Sequence, residues 1–165
     1  MAPADKAIEI DLNLVERPNS IILIDDDEAA RQAIKTIILS GIPIAEFIET
    51  NCHNQVMTLI QFLIANPHFA NNIVGAVFDK EGYGYREFTP DLVMPIAVQD
   101  SGILLAQALL PLVELKPPVI LQTSGFIERV VNGPSGTIQE VIKKSDLDKK
   151  LPSAITTYFL PRVFI

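Results

Sequence analysis

Hydrophobic and polar positions change their period several times along the chain, and each change marks an element. Residues 5–16, DKAIEIDLNLVE, alternate: Ile8, Ile10, Leu12 and Leu14 fall on one side, Glu9, Asp11 and Asn13 on the other. A period of two predicts a half-buried strand, broken by RPNS. IILI at 21–24 is a continuous apolar run, the pattern of a strand covered on both faces. From Asp27 the period lengthens. Ala30, Ile34, Ile37 and Ile38 form a helical stripe that SGIP stops.

The later segments follow the same rhythm. IAEFIET predicts a short strand, NQVMTLIQFLIAN a helix ended by Pro67, and IVGAVFD an apolar strand ending in Asp79. Residues 80–99 are irregular and rich in Gly, Pro and Tyr. DSGILLAQALLPLVE then predicts a helix starting at Asp100 or Ser101. PPVILQTSG is a strand and turn, FIERVV a short helix before NGPSG, and TIQEVIKK a strand. SDLDKKLPSAITTYFL is a last helix capped by Ser145 or Asp146, and PRVFI an apolar tail.

After the N-terminal strand, strand and helix therefore alternate five times. That pattern predicts an α/β fold, a doubly wound parallel sheet with helices on both faces. Ligands of such sheets sit beyond the carboxyl ends of the strands. The polar residues there are Asp25, Asp26 and Asp27; Asp79; Thr123 and Ser124; and Lys143 and Lys144.

Composition narrows the function classes. A chain of 165 residues that is 48% hydrophobic and 20% charged suits one globular domain. Its net charge of −7 argues against non-specific binding to nucleic acid or to anionic membrane. No apolar run approaches the ~20 residues of a membrane span, and MAPADKAIEIDLNL lacks the apolar core of a signal peptide. Cys52 is the single cysteine, so no disulfide forms within the chain, which suits a reducing compartment. With only His53 and His68 beside it, a zinc cage is not expected, and Cys52 reads as a small packed residue. The expected setting is cytoplasmic.

Asp25, Asp26, Asp27 and Glu28 put four carboxyls in a row where a core strand ends. Each raises the cost of ionising its neighbour, so the cluster needs open water or a cation. Carboxylate oxygens suit a hard ion such as Mg2+. One carboxylate can also attack phosphorus, with a hydroxyl and an ammonium holding the phosphoryl oxygens. Asp27 and Glu28 are assigned to the helix start, where negative charge meets the macrodipole.

The segments ILIDDDEAAR, IVGAVFD, VILQTSG and VIKKSDL, in that order, resemble the receiver domains of two-component response regulators. The resemblance covers residues 20–160, leaving 1–19 as an N-terminal extension and 161–165 as the apolar tail. It implies a flavodoxin-like (βα)5 sheet of order 2-1-3-4-5, here with an extra N-terminal strand. It also implies roles. Asp25 and Asp26 match the acidic pair that binds Mg2+, and Asp79 matches the phospho-acceptor and third acidic ligand. The backbone carbonyl of Glu81 completes the metal set. Thr123, followed by the small Ser124, matches the switch hydroxyl, and Lys144 the lysine that pairs with the phosphoryl group. The implied function is a stand-alone receiver, not an enzyme in its own right. It takes a phosphoryl group from a histidine kinase or histidine phosphotransfer protein. It signals by contact with a downstream protein, or through a homodimer formed by the N-terminal strand or the tail.

Several features depart from that family. The loop after Asp79 is long, and loops beyond ~12–15 residues are usually functional or mobile. It holds Tyr83, Tyr85 and Phe88, and its Met94–Pro95 pair follows a rival acceptor, Asp91. Asp79 is preferred because it directly ends an apolar strand. Val141 stands where the family often has an aromatic switch residue. Ser145 replaces the proline after the lysine, which removes the expectation of a cis peptide. Lys143 rivals Lys144, and neighbours in a strand face opposite ways. Two alternatives stand beside the leading reading. One is a pseudo-receiver interaction module that is never phosphorylated. The other is a Mg2+-dependent phosphatase with Glu81 as general acid.

Overall fold

The computed structural model describes residues 10–25, 27–51, 53–79, 119–123 and 139–163. Its framework is one parallel sheet of five strands: β1 (Ser20–Ile24), β2 (Glu46–Thr50), β3 (Ile73–Asp79), β4 (Val119–Thr123) and β5 (Glu140–Lys143). They lie in the order β2-β1-β3-β4-β5. The expected α/β fold and strand order are therefore present. All residues of β1 and β3 are buried, as their unbroken apolar runs require of strands covered on both faces.

The helix α1 (Glu28–Gly41) starts where the sequence changes period. Asp27 is its N-cap, and its Oδ1 accepts from the Ala29 N–H at 3.0 Å, satisfying one of the unpaired amides of the first turn. Ile34 and Ile38 of this helix are buried against Ile21 and Leu23 of β1. The C-terminal segment joins the same cluster. It begins with a 3-10 turn, Lys144–Asp146, and continues as α3 (Leu147–Ala154), followed by a π-helical turn, Ile155–Phe159, and a 3-10 turn, Leu160–Arg162. Leu151, Ala154, Ile155 and Phe159 are its core residues. Asp146 occupies the cap position of α3, but its side chain makes no capping bond. Ile22, Ile48, Ala76 and Phe78 alternate with the first set along their strands and are also buried, which places them on the opposite face. The second helix, α2 (His53–Ala65), contributes Leu59 and Leu63 to the interior. Pro67 ends it and opens a 3-10 segment, Pro67–Asn72, held to it by Phe69 stacked on Phe62 with ring centroids 5.6 Å apart.

One expectation is corrected. Leu12–Glu16 is a 3-10 helix, not part of a strand. Ile10 and Leu12 are half-buried while Asp11 and Asn13 are exposed, so the alternation is real. However, the Asp11 carboxylate accepts from the Asn13 N–H at 3.0 Å, and such local bonds turn the backbone away from a ladder. The C-terminal helical segment closes against the core. Phe159 is fully buried, and Tyr158 and Val163 pack against the core, leaving Leu160 exposed. Residues 1–9, the loop 80–99, the helices expected over 100–114 and 126–131, and the last two residues lie outside the described residues.

Gly75 in β3 faces the Phe159 ring so closely that a Cβ there would overlap it. Gly75→Ala is expected to cost about 1–3 kcal/mol through overpacking, and Phe159→Ala about 3–5 kcal/mol through the cavity it leaves. Urea unfolding of both single variants and the double variant should show that Gly75→Ala costs less once the ring is gone.

Candidate functional site

The sheet register brings the polar strand ends to one edge. Ile24 pairs with Phe78 across β1 and β3, so Asp25 and Asp79 stand side by side, each one residue further on. Both are buried, at 2% and 3% exposure. Asp25 is held on two sides: its N–H donates to the Thr50 carbonyl at 3.2 Å, and its Oδ1 accepts from the Asp27 N–H at 2.9 Å. Asp79 pairs with Gln122 of β4, which puts Thr123 one residue beyond it, and Thr123 pairs with Lys143.

Lys144, just past β5, supplies the ammonium at this edge. Its Nζ donates to Asp79 Oδ2 at 3.2 Å, across 65 residues of sequence, with the lysine half-buried and the carboxylate almost wholly so. Burying a carboxylate is costly unless a partner offsets the lost hydration, and the ammonium is such a partner. Lys144 reaches Asp79 because the chain leaves the strand after Lys143 and tightens into a 3-10 turn. The backbone contains no cis peptide among the described residues.

Arg31 is a residue that sequence reasoning missed. It lies on the inner face of α1 at 3% exposure. Its guanidinium donates to the Asp25 carbonyl at 2.7 Å and, through Nε, to Glu49 Oε1 at 3.3 Å. Lys35 Nζ reaches the other oxygen of Glu49 at 3.0 Å. The missed signal was its spacing, three before Ile34 and seven before Ile38, a cation on the buried stripe.

Neither a family model nor a curated protein matches the sequence. Solved structures do. A signal receiver domain of two-component signal transduction (histidine kinase) from Clostridium thermocellum superposes with TM-score 0.64 at 18% identity, covering 86% of this chain and 98% of that one. The Mn2+-bound form of response regulator Rcp1 gives 0.55 at 16% identity, over 87% and 96%. The phosphorylated cyanobacterial phytochrome response regulator RcpA gives 0.56 at 13%, over 87% and 96%. The fold is that of a response-regulator receiver domain.

On this receiver fold the described candidates gather at the carboxyl edge. Asp25 ends the line of β1, Asp79 ends β3, Thr123 ends β4 and Lys144 follows β5. Asp27 serves as a helix cap, the role expected of it, and Glu28 opens the first turn of α1. Asp26, Glu81, Asp91, Ser124, Cys52 and the aromatic residues of the 80–99 loop lie outside the described residues. No set of three or more His, Cys, Asp and Glu side chains close enough to hold a metal occurs among the described residues. The pair that is described fits a hard divalent cation in its chemistry, since two buried carboxylates on adjoining strands offer oxygen donors and negative charge. No described helix is long and apolar enough to cross a membrane.

Lys144→Met is expected to lower stability by about 1–3 kcal/mol at neutral pH, because a buried charged acceptor loses a partner. Lys143→Met should stay within about 0.5 kcal/mol of the parent. Chemical denaturation of the two variants, and of Lys144→Met in an Asp79→Asn background where the loss should shrink, checks this. Asp27→Ala is expected to cost about 1 kcal/mol in the same assay.

Proposed function

We propose that the chain is a phospho-accepting receiver of two-component signalling, with Asp79 as the acceptor. The observation that supports this most is the buried Asp79 carboxylate, engaged by Lys144 and standing beside the buried Asp25 at the carboxyl edge of a receiver fold. The donor is a phosphohistidine on a histidine kinase or phosphotransfer protein. An Asp79 carboxylate oxygen attacks phosphorus in line, forming an acyl phosphate. The P–N bond breaks, and its electron pair stays with the departing imidazole, which takes up a proton. Asp25, Asp26, Asp79 and the Glu81 carbonyl would hold Mg2+, which supplies charge neutralisation for the carboxylates and the phosphoryl oxygens. Lys144 changes partner from the Asp79 carboxylate to a phosphoryl oxygen, keeping a charge-assisted hydrogen bond throughout. Thr123 offers a hydroxyl to a second phosphoryl oxygen. The protein's work is therefore positioning and electrostatic stabilisation. Output passes to a downstream protein by contact, in the cytoplasm, a setting that the single cysteine suits.

Intact-mass analysis after incubation with Mg2+ and a small phosphoryl donor tests the proposal. One added phosphoryl group is expected on the parent chain and on Asp91→Asn, and none on Asp79→Asn or after chelation. Failure of every donor would leave an unphosphorylated interaction module. Steady turnover of a phosphate ester would make the protein a phosphatase.

A further inference from the structure

We propose that Arg31 is a positioning residue for Asp25, fixing through its carbonyl the backbone at the end of β1. Arg31 is the one fully buried cation among the described residues. A guanidinium enters an interior only where acceptors replace its lost hydration, and here they are Glu49 and the Asp25 carbonyl. Charge balance for Glu49 does not require Arg31, because Lys35 already reaches that carboxylate at 3.0 Å. The bond to Asp25 is the shorter of the two, 2.7 Å against 3.3 Å.

That carbonyl belongs to the peptide linking the two acids. Thr50 fixes Asp25 from the side of its N–H, and the Asp27 N–H fixes its carboxylate. Arg31 adds the third restraint, on the carbonyl of Asp25. A rigid fork suits this work, since one planar group bonds a strand-end carbonyl and a carboxylate of β2 at once, whereas a lysine is a single flexible point charge. Groups that orient metal ligands from behind commonly control affinity by about 10–100-fold. The metal-directed part of the inference rests on the phospho-acceptor reading above; the backbone part does not.

Two readouts on the full chain test it: direct titration with Mn2+ followed by electron paramagnetic resonance, and amide hydrogen exchange without metal. In Arg31→Met, Mn2+ affinity is expected to fall about tenfold or more. The Asp27 amide should exchange correspondingly faster, while Ile22 and Leu23 within β1 keep their protection. Removing a positive charge beside carboxylates would by itself tighten cation binding, so the sign separates positioning from electrostatics. Arg31→Lys keeps the charge and loses the fork; it should weaken Mn2+ in the same direction, and it replaces Arg31→Met should that variant not fold. Unchanged protection of Asp27, or Mn2+ binding as tight as the parent's or tighter, overturns the inference. Should the parent bind no Mn2+, the phospho-acceptor reading fails, and the exchange measurement alone decides for or against Arg31.

Discussion

A carboxylate buried at the end of a strand must be answered by charge, and at Asp79 the answer comes from Lys144, 3.2 Å away. The two residues share no local structure. They meet because β3, β4 and β5 lie side by side and in parallel, with Asp79 level with Gln122 and Thr123 level with Lys143. Every apolar residue that sets that register therefore also sets the site. A one-residue slip between β4 and β5 or between β3 and β4 would move the ammonium off the carboxylate. The fit of the Phe159 ring on Gly75, the one position of β3 without a side chain, opposes such a slip and locks the last helical segment against the central strand.

The acidic run after β1 shows how one stretch of like charge is divided among unlike tasks. Asp25 is drawn inside and held by backbone on two sides. Asp27 turns outward to cap α1, and Glu28 sits in the first turn, where the helix dipole favours it. Arg31, one turn further along, reaches back to the Asp25 carbonyl. The helix is thus more than a cover for the sheet: its first turn returns a cation to the strand end from which it departs.

Most of the frame was legible because its signals are local. IILI reads as a strand covered on both faces, IVGAVFD as an apolar strand ending in an acid, and the Ile34–Ile38 stripe as a helix, and each is found so. The misreading came where a short-range bond outweighed periodicity. Asp11 bonds its own backbone neighbour and bends an alternating segment into a 3-10 helix. In the site, Asp79 and Asp25 were visible as acids ending apolar runs. The choice between Lys143 and Lys144 was not, because it depends on the backbone leaving the strand between them. Arg31 was hidden in a helix read for its isoleucines.

The central claim is that a phosphoryl group fits at Asp79, between Lys144 and the acids that follow β1. A crystal structure of the chain with Mg2+ and beryllofluoride tests this most directly. The account requires beryllium bonded to an Asp79 carboxylate oxygen, a fluorine facing the Lys144 ammonium, and Mg2+ bound by the acids at the end of β1. Beryllofluoride on Asp91, or Asp79 still closed on Lys144 with no ligand under saturating conditions, would contradict it.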